Sequence, residues 1–145
     1  MVSEQRTLAR TVSLRGIGLH TGTEVSVEIH PAEPDAGVVF ARVDLPGEPT
    51  VAALLENVVQ RPRRTAIARG DAEVHTTEHL LSALWAAGVD DALVRIDGPE
   101  VPGVDGSAMP FYEAIVAAGT RGLGARRAAD RARRADRSAT GQGCP

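Results

Sequence analysis

Val25, Val27 and Ile29, separated by Ser26 and Glu28, alternate apolar and polar with a period of two, so this stretch is predicted to be a half-buried strand. Pro31 ends the run, because proline offers no N–H to a ladder. Thr11 to Leu14 alternates in the same way. The glycine-rich Gly16-Ile17-Gly18-Leu19-His20-Thr21-Gly22 lies between the two runs, which makes residues 7 to 30 a predicted hairpin. A third strand is expected over Gly37 to Leu45. A second hairpin is expected where Thr65–Arg69 and Ala72–His75 flank Gly70-Asp71, and a further strand over Ala92 to Asp97. Two helical patterns interrupt the strands. The first runs from Thr77 to Ala87, with Leu80, Leu81, Leu84 and Trp85 inward and Gly88 as its stop. The second runs from Met109 or Pro110 to Ala118, with Phe111, Ile115 and Val116 inward and Gly119 as its stop. Strands with two interspersed helices predict an α+β fold, a two-layer sandwich of a mixed or antiparallel sheet covered by two helices.

The pattern stops at Gly119, which divides the 145 residues into a body, 1–119, and a tail, 120–145. Residues 1–120 carry nine Arg against seventeen acidic residues, whereas residues 121–145 carry seven Arg against two Asp. Leu123 is the tail's only aliphatic residue larger than alanine. A segment that buries no apolar surface cannot offset its ordering entropy, so the tail is expected to be disordered and to add nothing to stability. It also lacks aromatic residues on which bases could stack, which argues against nucleic-acid binding. No lysine occurs anywhere, a skew that points to genomic base bias rather than to selection for arginine. No apolar run reaches the ~18–20 residues of a membrane span, and no signal segment opens the chain, so a cytoplasmic location is expected. The single cysteine, Cys144, supports neither a disulfide framework nor a thiolate metal site.

Chemistry concentrates in His75-Thr76-Thr77-Glu78-His79-Leu80-Leu81. Neutral imidazoles bind zinc, and a neighbouring carboxylate can take a proton from a water. Read literally, the segment is H-x-x-E-H, the inverted zinc-peptidase signature, which requires both histidines on one helical face. A second reading uses only Glu78 and His79, in the first turn of the helix, where the macrodipole favours a carboxylate and disfavours an imidazolium. His75 then falls at the end of the preceding strand, which weakens the first reading. A third reading makes Glu78 a simple complement to the helix dipole and His79 an ordinary histidine.

Four segments occur in order: Gln5-Arg6-Thr7-Leu8; Gly16 to Gly22; Thr76-Thr77-Glu78-His79-Leu80-Leu81-Ser82-Ala83-Leu84; and Gly98-Pro99-Glu100-Val101-Pro102-Gly103-Val104-Asp105-Gly106-Ser107-Ala108-Met109-Pro110-Phe111. Together they resemble the N-terminal half of the UDP-3-O-acyl-N-acetylglucosamine deacetylase family, over residues 5 to about 119. The resemblance implies a zinc amidase of lipid A biosynthesis that removes the acetyl group of its UDP-sugar substrate as acetate. It implies two similar sandwich domains with the active site between them, His79 as the first Zn2+ ligand and Glu78 as the general base. His75 matches no ligand. His20, in the glycine-rich turn, is a candidate for the cleft. Asp105 is a candidate either for orienting a polar group near the metal or for capping the second helix.

Family members continue past Thr120 into a second domain that supplies two further zinc ligands, in an H-x-x-x-D arrangement, and a histidine acid. The tail contains no histidine, and its composition is what an out-of-frame reading of a coding sequence rich in Arg and Ala codons gives, so a frameshift or truncated gene is expected. A catalytic zinc needs about three protein ligands. The chain is therefore expected to be incomplete alone, its second domain missing or held on a separate chain. Two alternatives stand beside this: a non-enzymatic orphan domain serving in binding or interaction, and an H-x-x-E-H peptidase-like hydrolase.

Overall fold

The computed structural model describes residues 3–127. In chain order the elements are β1 (Glu4–Leu8), β2 (Val12–Ile17), β3 (Glu24–Pro31), β4 (Val38–Arg42), β5 (Thr50–Ala52), a 3-10 turn (Leu55–Asn57), β6 (Val58–Val59), β7 (Ala66–Arg69), β8 (Ala72–His75), α1 (Glu78–Ala86), β9 (Ala92–Ile96), α2 (Met109–Ala118) and β10 (Thr120–Arg126). The fold is α+β, as expected. A five-stranded sheet has the order β2-β3-β9-β4-β5; it is antiparallel except for the parallel β4–β9 pair. A three-stranded sheet, β6-β7-β8, and the β1–β10 pair complete it.

The period-two pattern sets the register of the main sheet. Val27 lies opposite Ile96 and Ile29 opposite Val94, and all four are buried. Leu80 and Leu84 of α1, with Phe111 and Ile115 of α2, join the same apolar cluster, so the helices cover the face that these strands turn inward. Two inward assignments are corrected. Trp85 is 84% exposed and Val116 53% exposed. Each stands one residue, about 100° around the helix, beyond a fully buried neighbour (Leu84 and Ile115), which carries it past the edge of the inward stripe.

The expected end of the body at Gly119 is also corrected. Thr120–Arg126 forms β10, antiparallel to β1. This strand buries none of its residues, so an apolar pattern could not reveal it. Polar bonds and a close backbone approach hold it. The Arg6 guanidinium donates to the Thr120 hydroxyl and carbonyl, each at 3.1 Å, and the Gln5 amide donates to the Arg126 carbonyl at 2.7 Å. Gly122 lies against the Glu4 carboxylate, which would overlap any Cβ at that position. The expectation of disorder for residues 128–145 falls outside the described residues.

A buried carboxylate fixes the approach to α1. Thr76, the second residue before the helix, has φ 57°, a left-handed conformation that strains a β-branched residue by about 1–3 kcal/mol. His75 N–H donates to the Pro99 carbonyl at 2.7 Å and Val101 N–H to the His75 carbonyl at 3.1 Å, so the strained residue adjoins a clamped strand end. The Thr76 hydroxyl then donates to Glu100 at 2.9 Å. Glu100, 1% exposed, also accepts from the backbone N–H of His20 at 2.9 Å and of Thr21 at 2.8 Å. Gly18 closes the turn over it, since a Cβ there would overlap the Glu100 carboxylate and the Thr21 hydroxyl. Burial pushes the Glu100 carboxyl up, but donation from the Thr21 and His20 N–H groups and from the Thr76 and Thr21 hydroxyls outweighs it and holds the group below its ordinary value of 4.5.

Two outcomes follow for stability. Truncation after Gly119 removes the partner of β1 and should cost more than about 1 kcal/mol, since each lost ladder bond contributes ~0.5–1.5 kcal/mol; the melting temperature should fall by several degrees, and an unchanged melt would show that β10 is dispensable. For Glu100→Gln, which keeps the shape and removes the charge, the expected loss is about 2 kcal/mol at neutral pH. Because the folded pKa is depressed, this contribution is complete above the unfolded value and disappears as pH falls through the folded pKa. The gap between wild type and variant in thermal melts should therefore close below pH 4.5; a pH-independent gap would contradict an ionised Glu100.

Candidate functional site

Glu78 and His79 occupy the first turn of α1, both partly exposed. Glu78 Oε2 accepts one long bond, 3.4 Å, from the backbone N–H of Thr65, and the rest of its carboxylate is free among the described residues. The His79 ring makes no hydrogen bond among the described residues. An accessible carboxylate with spare lone pairs beside an uncommitted imidazole can accept a proton and offer a metal donor. Thr77, just before the helix, is fully buried and makes no capping bond, while its N–H donates to the Thr65 carbonyl at 3.3 Å. The turn before β7 is thus bonded to the helix start on two sides.

The other predicted residues fall into different settings. Asp105 is exposed, in the turn before α2, and reaches the helix only through Ser107. It accepts from Ser107 N–H at 2.9 Å and from the Ser107 hydroxyl at 2.7 Å, and Met109 N–H donates to that hydroxyl oxygen at 3.2 Å. The Ser107 hydroxyl, then its N–H, lower the Asp105 carboxyl pKa, with a smaller contribution from the charge of His79. Asp105 therefore lies within electrostatic reach of His79 while its oxygen serves the turn. His20 is exposed and is anchored through its backbone to Glu100.

His75 ends β8, and the helix begins three residues later at Glu78, so His75 and His79 share no helical face. The His75 Nε2 lies 2.9 Å from Glu73 Oε1, a carboxylate shared with Arg61. Burial lowers the His75 pKa first, the Glu73 charge opposes it, and the charges of Arg64 and Arg61 add to the lowering. Among the described residues no three His, Cys, Asp or Glu side chains come together as a metal site. The described residues therefore do not complete a zinc site around His79.

Glu100 is the residue that motif reading missed. No local signal in Pro99-Glu100-Val101-Pro102 marks it, because its partners His20, Thr21 and Thr76 are distant in sequence. Beside the site, α1 and α2 leave an open apolar groove of about 830 Å³, lined by Leu81, Trp85, Ala108, Met109 and Tyr112 together with Ala53. No helix among the described residues is long and apolar enough to cross a membrane.

The sequence matches the family model for LpxC, UDP-3-O-acyl N-acetylglycosamine deacetylase, over residues 5–141, beyond the point near residue 119 where its recognisable motifs stop. It is similar to the UDP-3-O-acyl-N-acetylglucosamine deacetylase of Citrifermentans bemidjiense, at 50% identity over 117 residues, covering 81% of this chain and 38% of the relative. The enzyme of the same name from Myxococcus xanthus is 46% identical over 117 residues, covering 81% of this chain and 37% of the relative. The bifunctional enzyme LpxC/FabZ of Chlorobaculum tepidum is 45% identical over 119 residues, covering 82% and 26%. The chain thus spans less than two-fifths of the length of these relatives. With its motifs in register and a family match over nearly its whole length, the chain belongs to the UDP-3-O-acyl N-acetylglycosamine deacetylase family.

Proposed function

We propose that this chain is the first half of a cytoplasmic, zinc-dependent deacetylase that hydrolyses the acetamide of UDP-3-O-acyl-N-acetylglucosamine to acetate and the free amine. The observation that carries the proposal is the pairing of Glu78, largely free to accept a proton, with His79, free of hydrogen bonds among the described residues, on the first turn of a family member's α1. In this reading Glu78 takes a proton from the water whose oxygen bonds to the acetamide carbon, and that proton is available to the nitrogen as the C–N bond breaks. Glu100 holds the His20 turn against the strand end that leads into α1, and so sets the position of both loops. His79 offers one donor toward Zn2+. The remaining donors must come from outside the described residues, and we assign them to the second domain, which is also the occupant that suits the apolar groove between α1 and α2.

The test is complementation. Joining residues 1–127 in frame to the C-terminal part of the Citrifermentans bemidjiense relative should restore zinc binding and deacetylation. In that hybrid, Glu78→Ala should retain the metal and lose ~10²- to 10⁴-fold in kcat, while His79→Ala should lose both. His75→Ala should be nearly silent. Elemental analysis and acetate release would check all three, and a His75 variant as metal-free as the His79 variant would return the assignment to H-x-x-E-H. A hybrid that folds and binds zinc without deacetylating would favour the non-enzymatic domain.

A further inference from the structure

Arg61, Arg63 and Arg64 fall within four positions on the turn between β6 and β7, and only the first is committed. Arg61 donates to Glu73 at 2.8 Å and to the Gln60 carbonyl at 2.7 Å. Arg63 is exposed, in a left-handed conformation with φ 57°. Arg64 is half-buried, its Nε is shielded from solvent without a hydrogen-bond acceptor, and among the described residues it has no ion pair. Base bias accounts for arginine in place of lysine, but not for a guanidinium whose N–H is desolvated and left without a partner. A shielded donor of this kind carries a cost that an acceptor arriving from outside would remove.

The position of Arg64 gives that acceptor a function. Its neighbour Thr65 makes the two bonds to the start of α1, from its N–H to Glu78 and from Thr77 N–H to its carbonyl, so Arg64 lies one residue from the clamp that holds the Glu78–His79 turn. The acids on β8 and at the start of α1 are Glu73, occupied by Arg61 and His75, and Glu78, which faces Thr65. The guanidinium fork matches paired oxygens of a tetrahedral oxyanion. We propose that Arg64 is the anchor of an anion site at the rim of the Glu78–His79 turn, taking phosphoryl oxygens, either of free phosphate-class anions or of the diphosphate of a nucleotide sugar. The second source rests on the deacetylase reading above; the first does not.

The experiment uses the full 145-residue chain with inorganic pyrophosphate and, in parallel, UDP-N-acetylglucosamine, followed by calorimetry and by the pH titration of His75 in NMR spectra. Pyrophosphate should bind, more weakly as salt rises, and should raise the His75 pKa, because the bound anion offsets the positive charge of Arg64 and Arg61 that lowers it. Arg64→Gln should weaken binding about tenfold or more, abolish the anion-induced shift of His75 and melt like wild type. Should the glutamine variant fold poorly, Arg64→Lys keeps the charge without the fork and should still bind several-fold more weakly than wild type. Absence of pyrophosphate binding, or equal binding by wild type and the substituted chains, overturns the anion site whatever the complementation test shows. Pyrophosphate binding that depends on Arg64, without Arg64-dependent binding of the nucleotide sugar, upholds the site and assigns it to free anions. Binding of both through Arg64 assigns it to the nucleotide sugar.

Discussion

The hydrogen bonds converging on the Glu100 carboxylate join three parts of the chain that are far apart in sequence. The turn of the first hairpin, the end of β8 and the segment leading toward α2 meet at one buried group, through His20, Thr21, Thr76 and the backbone around Pro99 and Val101. Without it, Thr76 would hold a left-handed φ with one fewer bond to keep it there, and the approach to α1 would rest on the backbone bonds of His75 and the Thr65 turn alone. Side chains at a helix start, such as Glu78 and His79, hold a fixed geometry only if that start is itself fixed to within a fraction of an ångström. Here a charge contributes that precision, because the surrounding apolar contacts are less directional than hydrogen bonds.

A second buried carboxylate shows why the count of donors, rather than burial, decides the sign of the effect. Asp91 is 2% exposed, yet among the described residues its Oδ1 receives a single bond, from Gly37 N–H at 2.8 Å, and its Oδ2 has no partner. Burial pushes its carboxyl above the usual aspartate range; the Gly37 bond opposes the shift, and the charges of Asp90 and Asp35 reinforce it. A folded pKa above the unfolded one means that ionised Asp91 works against the fold, and that acid relieves this as pH falls toward 3.8. Glu100 behaves in the opposite way, losing its contribution in acid. The two groups have comparable burial and opposite linkage, so neither could be placed from hydropathy.

That contrast marks what was legible in the sequence. Val25, Val27 and Ile29 announced β3 because local alternation and burial coincide there, and Gly88, with φ 76°, announced the end of α1 because glycine adopts that conformation without strain. The place of Glu78 and His79 in the first turn of α1 was legible because the apolar helical spacing begins just after them. β10 was not legible, since Thr120 to Arg126 is held by Arg6 and Gln5 from the other end of the chain. Glu100 was not singled out for the same reason, as its partners lie 24 to 80 residues away. Trp85 misled because a large aromatic at helical spacing ordinarily faces its own core.

The exposure of Trp85 bears on how a chain spanning less than two-fifths of its relatives' length can still close a core. The core beneath α1 and α2 is closed by Leu80, Leu84, Phe111 and Ile115, all at most 1% exposed, so the sandwich does not need the groove to be covered in order to exclude water from its interior. What remains outside, Trp85, Met109 and part of Tyr112, is a second apolar layer on the same helices. Contiguous apolar surface of this kind marks interaction sites and, when left open, favours association. The two faces of the helices thus differ in use: the inner face specifies the sandwich, and the outer face leaves apolar surface in water among the described residues.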